Sequence, residues 1–442
     1  MPFLPLNRKE MTAAGISQPD IIIVTGDAYV DHPSFGTAII SRVLEARGYS
    51  VCILSQPKKD SDYLEFGRPR LAFFVNSGNI DSMVAHYTAA KKKRSDDAYT
   101  AGGKAGARPD RAVIVYSKKL REIFGDIPIA IGGLEASLRR FAHYDYWDDR
   151  VRPSILMDSD ADLLMFGMGE KHAVEIADRL NRGESIKEIQ DVLGTCYKVL
   201  SKDYEWKPCA ECPSFEQVSE NSDGGKRQYA IATKIQQREQ DSVRGKAVIQ
   251  KHGKYIVVQN PPMPPLTTEE LDRVYDLPFM RDYHPSYKAL GGVPGIEEVK
   301  FSIAHNRGCF GAFNLCSIAF HQGRQIAVRS HESVINEAHK LCEMEDFQGY
   351  IHDVGGPTAN FRAPSCEKQL KLGVCADRKC LAPKICPNIE VDHSDYLSLL
   401  RKLRALPKVK RVFIRSGIRF DYLIADKDDS FFKELVRYHV SG

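Results

Sequence analysis

The sequence lacks any apolar run approaching the roughly 18 residues that a membrane-spanning helix requires. Its opening stretch, MPFLPLNRKEMTAAG, reaches charged side chains after very few apolar ones, which is unlike a secretory signal. An excess of one charge sign is also missing, because 62 basic and 58 acidic residues leave a net charge of only +4. These absences predict a cytoplasmic protein with no membrane partner, and they do not indicate nucleic-acid binding.

Cysteine, by contrast, is abundant: eleven residues is a large number for a reducing compartment, where structural disulfides are not favoured. Cys52, Cys196 and Cys342 are interpreted as small apolar side chains. Cys209 and Cys212 have the spacing of half a zinc site or a redox pair, but no second pair with zinc-finger spacing follows them. The other six lie where we expect metal or cluster ligation, namely Cys309, Cys316, Cys366, Cys375, Cys380 and Cys386.

Predicted strands alternate with predicted helices along most of the chain, which indicates an α/β fold whose first part is a doubly wound sheet. Short apolar runs predict strands at 21–24, 51–54, 71–75, 112–116, 127–131 and 163–166. From residue 296 onward the pattern predicts three more strand–helix repeats, too few to close a barrel. The proline-rich stretch at 260–266 is interpreted as a stiff linker. The expected domains are therefore 1–200, a connecting α/β region at 201–295, and 296–442.

The stretch RGCFGAFNLC at 307–316 places two cysteines seven positions apart in a glycine-containing loop. A cubane iron–sulfur cluster is held by several cysteine thiolates, whose spacing must let each sulfur reach the same cluster. Cysteines at i, i+4 and i+7 can hold three corners and leave one iron open to an outside ligand. Here Cys309 stands at i and Cys316 at i+7, while Phe313 occupies i+4.

This loop resembles the cluster loop of the radical S-adenosylmethionine (radical SAM) superfamily, and the whole chain resembles the YgiQ family of radical SAM proteins. The resemblance extends along the chain. The matching stretches are VTGDAYVDHPSFGTAIISRVLEARGY at 24–49, IGGLEASLRRFAHYDYWDD at 131–149, RGCFG at 307–311, CSIAFHQGR at 316–324, DVGGPTANF at 353–361 and SGIRFDY at 416–422.

The resemblance implies a flavodoxin- or Rossmann-like N-terminal domain of cobalamin-binding type, followed by the first half of a radical SAM (βα) partial TIM barrel. It implies a [4Fe-4S] cluster held by Cys309 and Cys316, whose open iron chelates S-adenosylmethionine and cleaves it reductively to start radical chemistry on an unknown substrate. Gly355 and Gly356 fall where the superfamily places a turn that meets the methionine amino group. A reductant such as flavodoxin or ferredoxin would be the protein partner, and the oligomeric state stays open.

The chain departs from the family at three places. Phe313 stands where the middle cluster cysteine belongs, and an aromatic ring cannot donate to iron. Cobalamin domains that supply a lower ligand to the cobalt use the motif Asp-x-His-x-x-Gly. In this chain the stretch DHPSFG at 31–36 displaces the histidine by one position, so that ligation does not carry over. Cobalamin itself stays an alternative cofactor. The chain also ends where the family continues into later barrel strands, which predicts a fragment of a longer product. We therefore expect poor cluster binding, and enzymatic activity stays open.

The second group of cysteines has spacings that match no standard zinc pattern. Cys366, Cys375, Cys380 and Cys386 predict either an auxiliary iron–sulfur cluster or a bound metal such as zinc, or else spare or redox-active thiols. Three hypotheses follow for the protein. It is a radical SAM enzyme, or a non-catalytic, truncated or degenerate homologue that binds a ligand, or a metal-binding protein that relies on these later cysteines.

Overall fold

The computed structural model describes residues 2–311 and 316–440, and the chain divides into two compact units. The first unit comprises Met1–Gln240, Gly245–Met263 and Pro278–Pro294, and the second comprises Asp241–Arg244, Pro264–Leu277 and Gly295–Gly442. The chain leaves the first unit between Met263 and Pro264, inside the proline-rich stretch. No helix within the described residues combines the length and the apolar character of a membrane span.

The first unit contains thirteen strands and ten helices among its described residues. The strands are β1 (Ile21–Thr25), β2 (Val30–Asp31), β3 (Val51–Ser55), β4 (Ala72–Asn76), β5 (Ile129–Ile131), β6 (His143–Asp145), β7 (Arg150–Arg152), β8 (Leu163–Met165), β9 (Thr195–Leu200), β10 (Cys209–Cys212), β11 (Ala247–His252), β12 (Tyr255–Gln259) and β13 (Asp282–Tyr283). The helices are α1 (Arg8–Ala13), α2 (Gly36–Ala46), α3 (Asp60–Tyr63), α4 (Ser82–His86), α5 (Ala112–Phe124), α6 (Gly133–Leu138), α7 (Ile155–Asp158), α8 (Glu170–Asn181), α9 (Phe215–Ser219) and α10 (Asp223–Arg238).

One nine-stranded sheet, in the order β10-β11-β12-β9-β8-β5-β4-β1-β3, organises this unit. Its strands β3, β1, β4, β5 and β8 are parallel, while β9 and β12 pair antiparallel with their neighbours. Every residue of β1 is buried, as expected for a parallel strand that is covered on both faces by helices. The parallel order reverses beside β1, as in doubly wound folds. The predicted α/β class is therefore confirmed.

One predicted strand differs from the observed elements. Residues 112–116, predicted as a strand, form the beginning of helix α5, because the apolar side chains continue at helical spacing as far as Leu120 and the helix ends only at Gly125. A β-branched run of five residues resembles a buried strand when it is taken without the residues that follow. Residues 209–259 lie within the predicted connecting α/β region at 201–295 and supply β10, β11 and β12 to the main sheet, while the predicted domain boundaries stay a prediction.

The second unit is built on three parallel chain segments. Its strands are β14 (Ser302–Ala304), β15 (Asn306–Arg307), β16 (Ala327–Val328), β17 (Tyr350–Ile351), β18 (Asp353–Gly355) and β19 (Arg411–Val412). Its helices are α11 (Thr268–Tyr275), α12 (Ser317–Gln322), α13 (His331–Cys342), α14 (Glu367–Leu372), α15 (Ser394–Arg404), α16 (Phe420–Ile424) and α17 (Ser430–Glu434). The central segment 350–355 pairs with β14 on one side and β19 on the other, and α13 and α15 pack their apolar faces onto these strands. The carboxyl ends of all three segments consequently lie at one edge.

Candidate functional site

The predicted site residues of the second unit lie at the carboxyl ends of these parallel segments. Strand β14 leads through His305 into β15, which pairs antiparallel with β16, and the cysteine loop lies between these two strands in the sequence. Strand β18 ends at Gly355, and the segment after β19 reaches Ser416. Ligands of α/β folds bind at such ends, where loops from neighbouring strands converge. The fold therefore brings Cys309 and the glycine pair to the same edge.

Cys309 lies buried in a fixed backbone turn. Its Sγ is 3.3 Å from Thr358 Oγ1, and its N–H donates to the Gly323 carbonyl at 3.1 Å. Gly308, the residue before it, has a φ of 82°, and a Cβ there would stand 2.0 Å from the Gln325 carbonyl oxygen. Only glycine fits that position, because both the left-handed backbone and the close approach exclude a side chain. Cys309, the first of the predicted cluster cysteines, is thus held in place by its own neighbours.

The rest of the predicted cluster loop is only partly described. Cys316 is a half-buried residue at the N-cap of α12. Phe313, on which the prediction of poor cluster binding rests, lies outside the described residues, so that prediction stays one. His305, which precedes Asn306, is engaged at both ring nitrogens: Nε2 bonds to the Ala359 carbonyl at 2.9 Å, and Arg362 donates to Nδ1 at 3.2 Å. Burial, together with the charge of Arg362, lowers the pKa of His305 to about 3.

Asn306 is a functional candidate that the sequence analysis missed. Its side chain is almost fully buried, and Nδ2 donates to the carbonyls of Thr358, at 2.9 Å, and Phe361. These two bonds fix the amide orientation, and Oδ1 has no hydrogen-bond partner within the described part of the chain. A buried acceptor left unpaired costs about 1–3 kcal/mol. This oxygen is therefore a place where a ligand donor would recover free energy.

Gly356 borders that oxygen, and Gly355 borders the side chain of Ser416. A Cβ on Gly356 would stand 1.6 Å from Asn306 Oδ1, and a Cβ on Gly355 would stand 2.1 Å from Ser416 Oγ. Ser416 is itself fixed, because its hydroxyl donates to Asp353 and its N–H donates to the same carboxylate at 3.2 Å. Both positions must be glycine for the polar side chains of neighbouring strands to meet here. The predicted ligand-contacting role of Gly355 and Gly356 stays a prediction.

Three aromatic side chains pack together beside Cys309 in the cysteine loop. The rings of Phe310 and Phe361 stack with centroids 3.7 Å apart, and Tyr422 meets both edge-on, at 5.6 Å and 5.2 Å. Phe310 and Phe361 are fully buried. Phe310 follows Cys309 directly, and the Phe361 carbonyl accepts a hydrogen bond from Asn306. The aromatic cluster therefore links the position of the Cys309 thiol to that of Asn306 Oδ1.

The later cysteines come together only in part. Cys366 caps the N-terminus of α14, the Cys380 thiol donates to Ser365 Oγ at 3.3 Å, and the Cys386 N–H donates to the Cys380 carbonyl at 2.8 Å. Cys375 is exposed. Within residues 2–311 and 316–440, no group of three or more His, Cys, Asp or Glu side chains is arranged to hold a metal ion. The predicted cluster or zinc site at Cys366, Cys375, Cys380 and Cys386 stays a prediction.

In the first unit, the strand ends at β1 and β4 are occupied by the chain's own polar groups. The buried Arg108 guanidinium pairs with both Asp27 and Asp97, each at 2.9 Å. His32, whose offset argued against cobalamin ligation, accepts the Ser34 N–H at Nδ1, and its Nε2 contacts Arg281 at 3.1 Å. Both ring nitrogens therefore have protein partners. A lower-ligand role for His32 is not supported by this geometry.

Comparison with known proteins identifies the class. The family model described as radical SAM N-terminal matches residues 3–302, and the chain belongs to that family. At the finer level, the chain is similar to UPF0313 proteins, and the YgiQ/UPF0313 identification is confirmed. The relative from Clostridium botulinum (strain Okra / Type B1) is 58% identical over 445 residues, which is 100% of this chain and 68% of that protein. The relative from Clostridium perfringens (strain ATCC 13124) is 56% identical over 443 residues, covering 100% of this chain and 66% of the relative.

Two solved structures are also similar to the chain. The radical S-adenosylmethionine methyltransferase TsrM from Kitasatospora setae, with tryptophan substrate and a SAM analogue bound, has a TM-score of 0.45 and 15% identity, covering 91% of this chain and 56% of TsrM. TsrM with cobalamin and a [4Fe-4S] cluster bound has a TM-score of 0.44 and 14% identity, covering 92% of this chain and 56% of TsrM.

Proposed function

We propose that this radical SAM protein binds S-adenosylmethionine at the strand ends of its second unit, with the methionine amino group at Asn306 Oδ1. The observation that carries the proposal is the orphaned, buried Oδ1 beside Gly355 and Gly356. An ammonium group offers three N–H donors, and one of them would satisfy the amide oxygen. The glycines keep side chains away from that oxygen. A donor-bearing ligand is the partner that this arrangement fits.

The cysteine motif offers an incomplete set of ligands for an iron–sulfur cluster. Cys309 and Cys316 offer two thiolates in ligand positions, while Phe313 offers no donor atom. Three protein thiolates are needed to hold a cubane with one open iron in this loop, so the donor set of the motif is incomplete. When present, such a cluster supplies the electron that cleaves S-adenosylmethionine. We therefore propose cleavage, with a flavodoxin- or ferredoxin-type reductant, only for a chain that regains the third thiolate.

Phe313 favours a second candidate function for the chain as it stands. A protein that retains the S-adenosylmethionine cradle but lacks one cluster ligand would act as a non-catalytic binding protein. Asn306 lies in β15, and Gly355 and Gly356 lie at the end of β18. Phe313 belongs to the cysteine motif of the sequence. Loss of cluster ligation would therefore leave S-adenosylmethionine binding in place.

Binding is tested by calorimetry on the metal-free protein. S-adenosylmethionine and 5′-methylthioadenosine, which lacks the amino-acid group, are titrated into the wild type and into Asn306→Ala. We expect the variant to bind S-adenosylmethionine about 10-fold more weakly, the effect of one lost hydrogen bond to a charged group, with 5′-methylthioadenosine unchanged. Gly417→Ala is the control, because a Cβ there meets nothing within 4 Å. Absence of S-adenosylmethionine binding by the folded wild type would refute the proposal.

Cluster assembly is tested by anaerobic reconstitution of three proteins: wild type, Phe313→Cys and Phe313→Ser. The serine variant removes the bulk of the ring without adding a thiolate, so it separates steric obstruction from the missing ligand. We expect a full complement of iron and sulfide only in Phe313→Cys, accompanied by reductant-dependent 5′-deoxyadenosine. Equal and full occupancy in wild type and Phe313→Cys would contradict the assignment of Phe313 as the limiting position.

A further inference from the structure

Four consecutive basic residues, KKKR at 91–94, lie in a tight backbone hairpin of the first unit. Tyr87 and Lys93 pair as an antiparallel bridge. Between them, the Thr88 N–H donates to the Lys92 carbonyl at 2.8 Å. All four basic residues are exposed. The net charge of +4 for the whole chain therefore conceals a local concentration of positive charge.

Three aromatic residues pack against this hairpin. The Trp147 ring lies 5.2 Å, between centroids, from both the Tyr87 ring, tilted at 39°, and the Tyr146 ring, which it meets edge-on at 78°. Lys91 contacts the aromatic group directly, because its Nζ lies 4.8 Å from the Tyr146 ring centroid and 3.4 Å from the Trp147 carbonyl. The Tyr146 hydroxyl donates to the Ala89 carbonyl at 2.6 Å. The two groups form one surface, here called the basic–aromatic surface, which comprises Tyr87, Tyr146, Trp147 and residues 91–94.

Hydrogen bonds hold the aromatic residues in place. The Tyr87 hydroxyl donates to Asp110 at 2.8 Å, and the backbone N–H of Trp147 donates to Asp145 at 3.0 Å. Tyr146 is 46% exposed, and Tyr87 and Trp147 are half-buried. A ring that is fixed and reaches solvent can stack on a planar ligand at a small cost in conformational entropy.

The positive charge of residues 91–94 is not balanced locally. Among the side chains that the structure describes, no carboxylate forms an ion pair with any of these four. The carboxylates beside the aromatic rings are engaged elsewhere, since Asp110 pairs with His86 at 2.5 Å and Asp148 pairs with Arg111 at 2.9 Å. Adjacent cations without counter-charges repel one another, and a polyanion relieves that repulsion.

A second contact between a lysine and an aromatic ring in the same unit shows the difference. The Lys251 Nζ lies 5.6 Å from the Trp206 ring centroid, and Trp206 is 60% exposed. Glu211, however, pairs with Lys251 at 3.1 Å and balances its charge. This pair is therefore a matched control for the basic–aromatic surface.

We propose that the basic–aromatic surface binds single-stranded nucleic acid, with bases stacked on Tyr146 and Trp147 and phosphates at residues 91–94. Proteins that bind single strands with little sequence preference combine a positively charged track with aromatic side chains on which bases stack. A duplex offers phosphates, but its bases are already paired and stacked on one another. The proposal concerns the first unit alone and is independent of S-adenosylmethionine binding.

The test measures the fluorescence anisotropy of labelled strands as the full chain is added. The probes are an oligouridine and an oligodeoxythymidine of about 12 nucleotides, with an abasic strand and a duplex of the same length. We expect the two single strands that carry bases to bind about 10-fold more tightly than the abasic strand. The logarithm of the association constant should fall with the logarithm of salt concentration with a slope of about −3, as for about four neutralised phosphates.

Substitutions separate stacking from charge. Tyr146→Ala should weaken oligouridine binding about 10-fold and leave the abasic strand unchanged, whereas Tyr146→Phe, which keeps the ring, should bind as the wild type does. Lys92→Ala combined with Lys93→Ala should weaken every strand alike and reduce the salt slope by about 1.4. Trp206→Ala and Lys251→Ala should leave affinity and slope unchanged.

The probes decide the matter with the wild type alone, even if a variant fails to fold. Equal affinity for oligouridine and the abasic strand, or tighter binding of the duplex, would overturn the proposal. Binding of phosphatidylserine vesicles without binding of any strand would overturn it in favour of a lipid surface, and no binding of any probe would leave 91–94 a solvated hairpin. Preference for single strands with bases, of either sugar, would support it.

Discussion

Asp27 makes the stability of the first unit depend on pH in an unusual direction. Its carboxyl is buried at the end of β1, where one guanidinium, that of Arg108, serves both Asp27 and Asp97. Burial raises the pKa of Asp27 to about 7 from 3.8, and the charge of Asp97 adds to the rise, against the attraction of Arg108 and the Asn79 N–H. Ionising both carboxyl groups beside one buried cation is unfavourable in free energy, so the Asp27 carboxyl stays protonated.

The sign of the pH effect follows from these two values. Between pH 3.8 and about 7 the folded unit keeps the Asp27 proton, whereas the unfolded chain has lost it. Unfolding then releases a proton, and the free energy of unfolding falls by about 1.4 kcal/mol for each unit of rising pH. A shift of about three units corresponds to about 4 kcal/mol in total, present in full at acidic pH and lost by about pH 7. Most paired carboxyl groups act in the opposite direction.

The assay compares wild type with Asp27→Asn, whose amide cannot ionise. Because the chain has two units, its global unfolding is not treated as a single two-state transition. Hydrogen exchange of peptides from β1 and β4 is therefore measured from pH 5 to 8 and corrected for intrinsic exchange. We expect the difference in opening free energy between the two proteins to change by about 1.4 kcal/mol per pH unit up to about pH 7, then level off.

Asp20→Asn is the matched control within the same unit. Burial opposes ionisation of Asp20, but hydrogen bonds from Ser50 and Arg70 outweigh it and lower the pKa of that carboxyl. The Asp20 carboxylate therefore contributes stability above pH 3.8 that is lost as the pH falls through its lowered pKa, which is outside the range of the assay. Parallel curves for wild type and Asp27→Asn between pH 5 and 7 would refute the reasoning about the buried carboxyl.

Two further substitutions test the site in the second unit. Gly356→Ala places a Cβ 1.6 Å from Asn306 Oδ1, so we expect a loss of about 1–3 kcal/mol in stability and of S-adenosylmethionine affinity, measured by thermal shift and calorimetry against Gly417→Ala. Phe361→Ala removes a ring stacked at 3.7 Å on Phe310, so we expect a loss of about 3–5 kcal/mol in denaturant unfolding, whereas the same change at the exposed Phe420 should cost little. A Gly356→Ala protein as stable as its control, or a Phe361→Ala protein as stable as Phe420→Ala, would contradict the packing described here.

The α/β class could be predicted because its signals are local. A fully buried parallel strand must be apolar on both faces, and IIIVT at 21–25 satisfies that requirement within five residues. The start of α11 was also predictable, since Thr267 and Glu270 form a capping box that depends on a spacing of three. The strand prediction for residues 112–116 was wrong because the signal within those five residues is ambiguous. Their apolar character fits a strand or a helix, and only the periodicity of the next eight residues decides between them.

The candidate site was predictable only where a motif spans adjacent residues. Cys309 stands out through its place in the cysteine motif, whereas Gly355 and Gly356 were predicted only through the resemblance to the radical SAM superfamily. Asn306 gives no such signal, since its importance arises from two carbonyls more than fifty positions away, which orient its amide. Ser416 likewise acquires its place through Asp353 on a neighbouring strand. Long-range hydrogen bonds of this kind follow from strand pairing, which a single sequence does not record.

The same distinction bears on what Phe313 changes. The proposed S-adenosylmethionine site is assembled by strand pairing and by the aromatic cluster around Phe361, so its geometry draws on several strands of the second unit. Cluster ligation depends on three thiols within one loop, so a single substitution removes a third of the donors. The proposed binding site is therefore distributed over the fold, whereas the predicted cluster ligands are concentrated in one short stretch. We consequently expect that one substitution in that stretch removes cluster binding and leaves the proposed binding site in place.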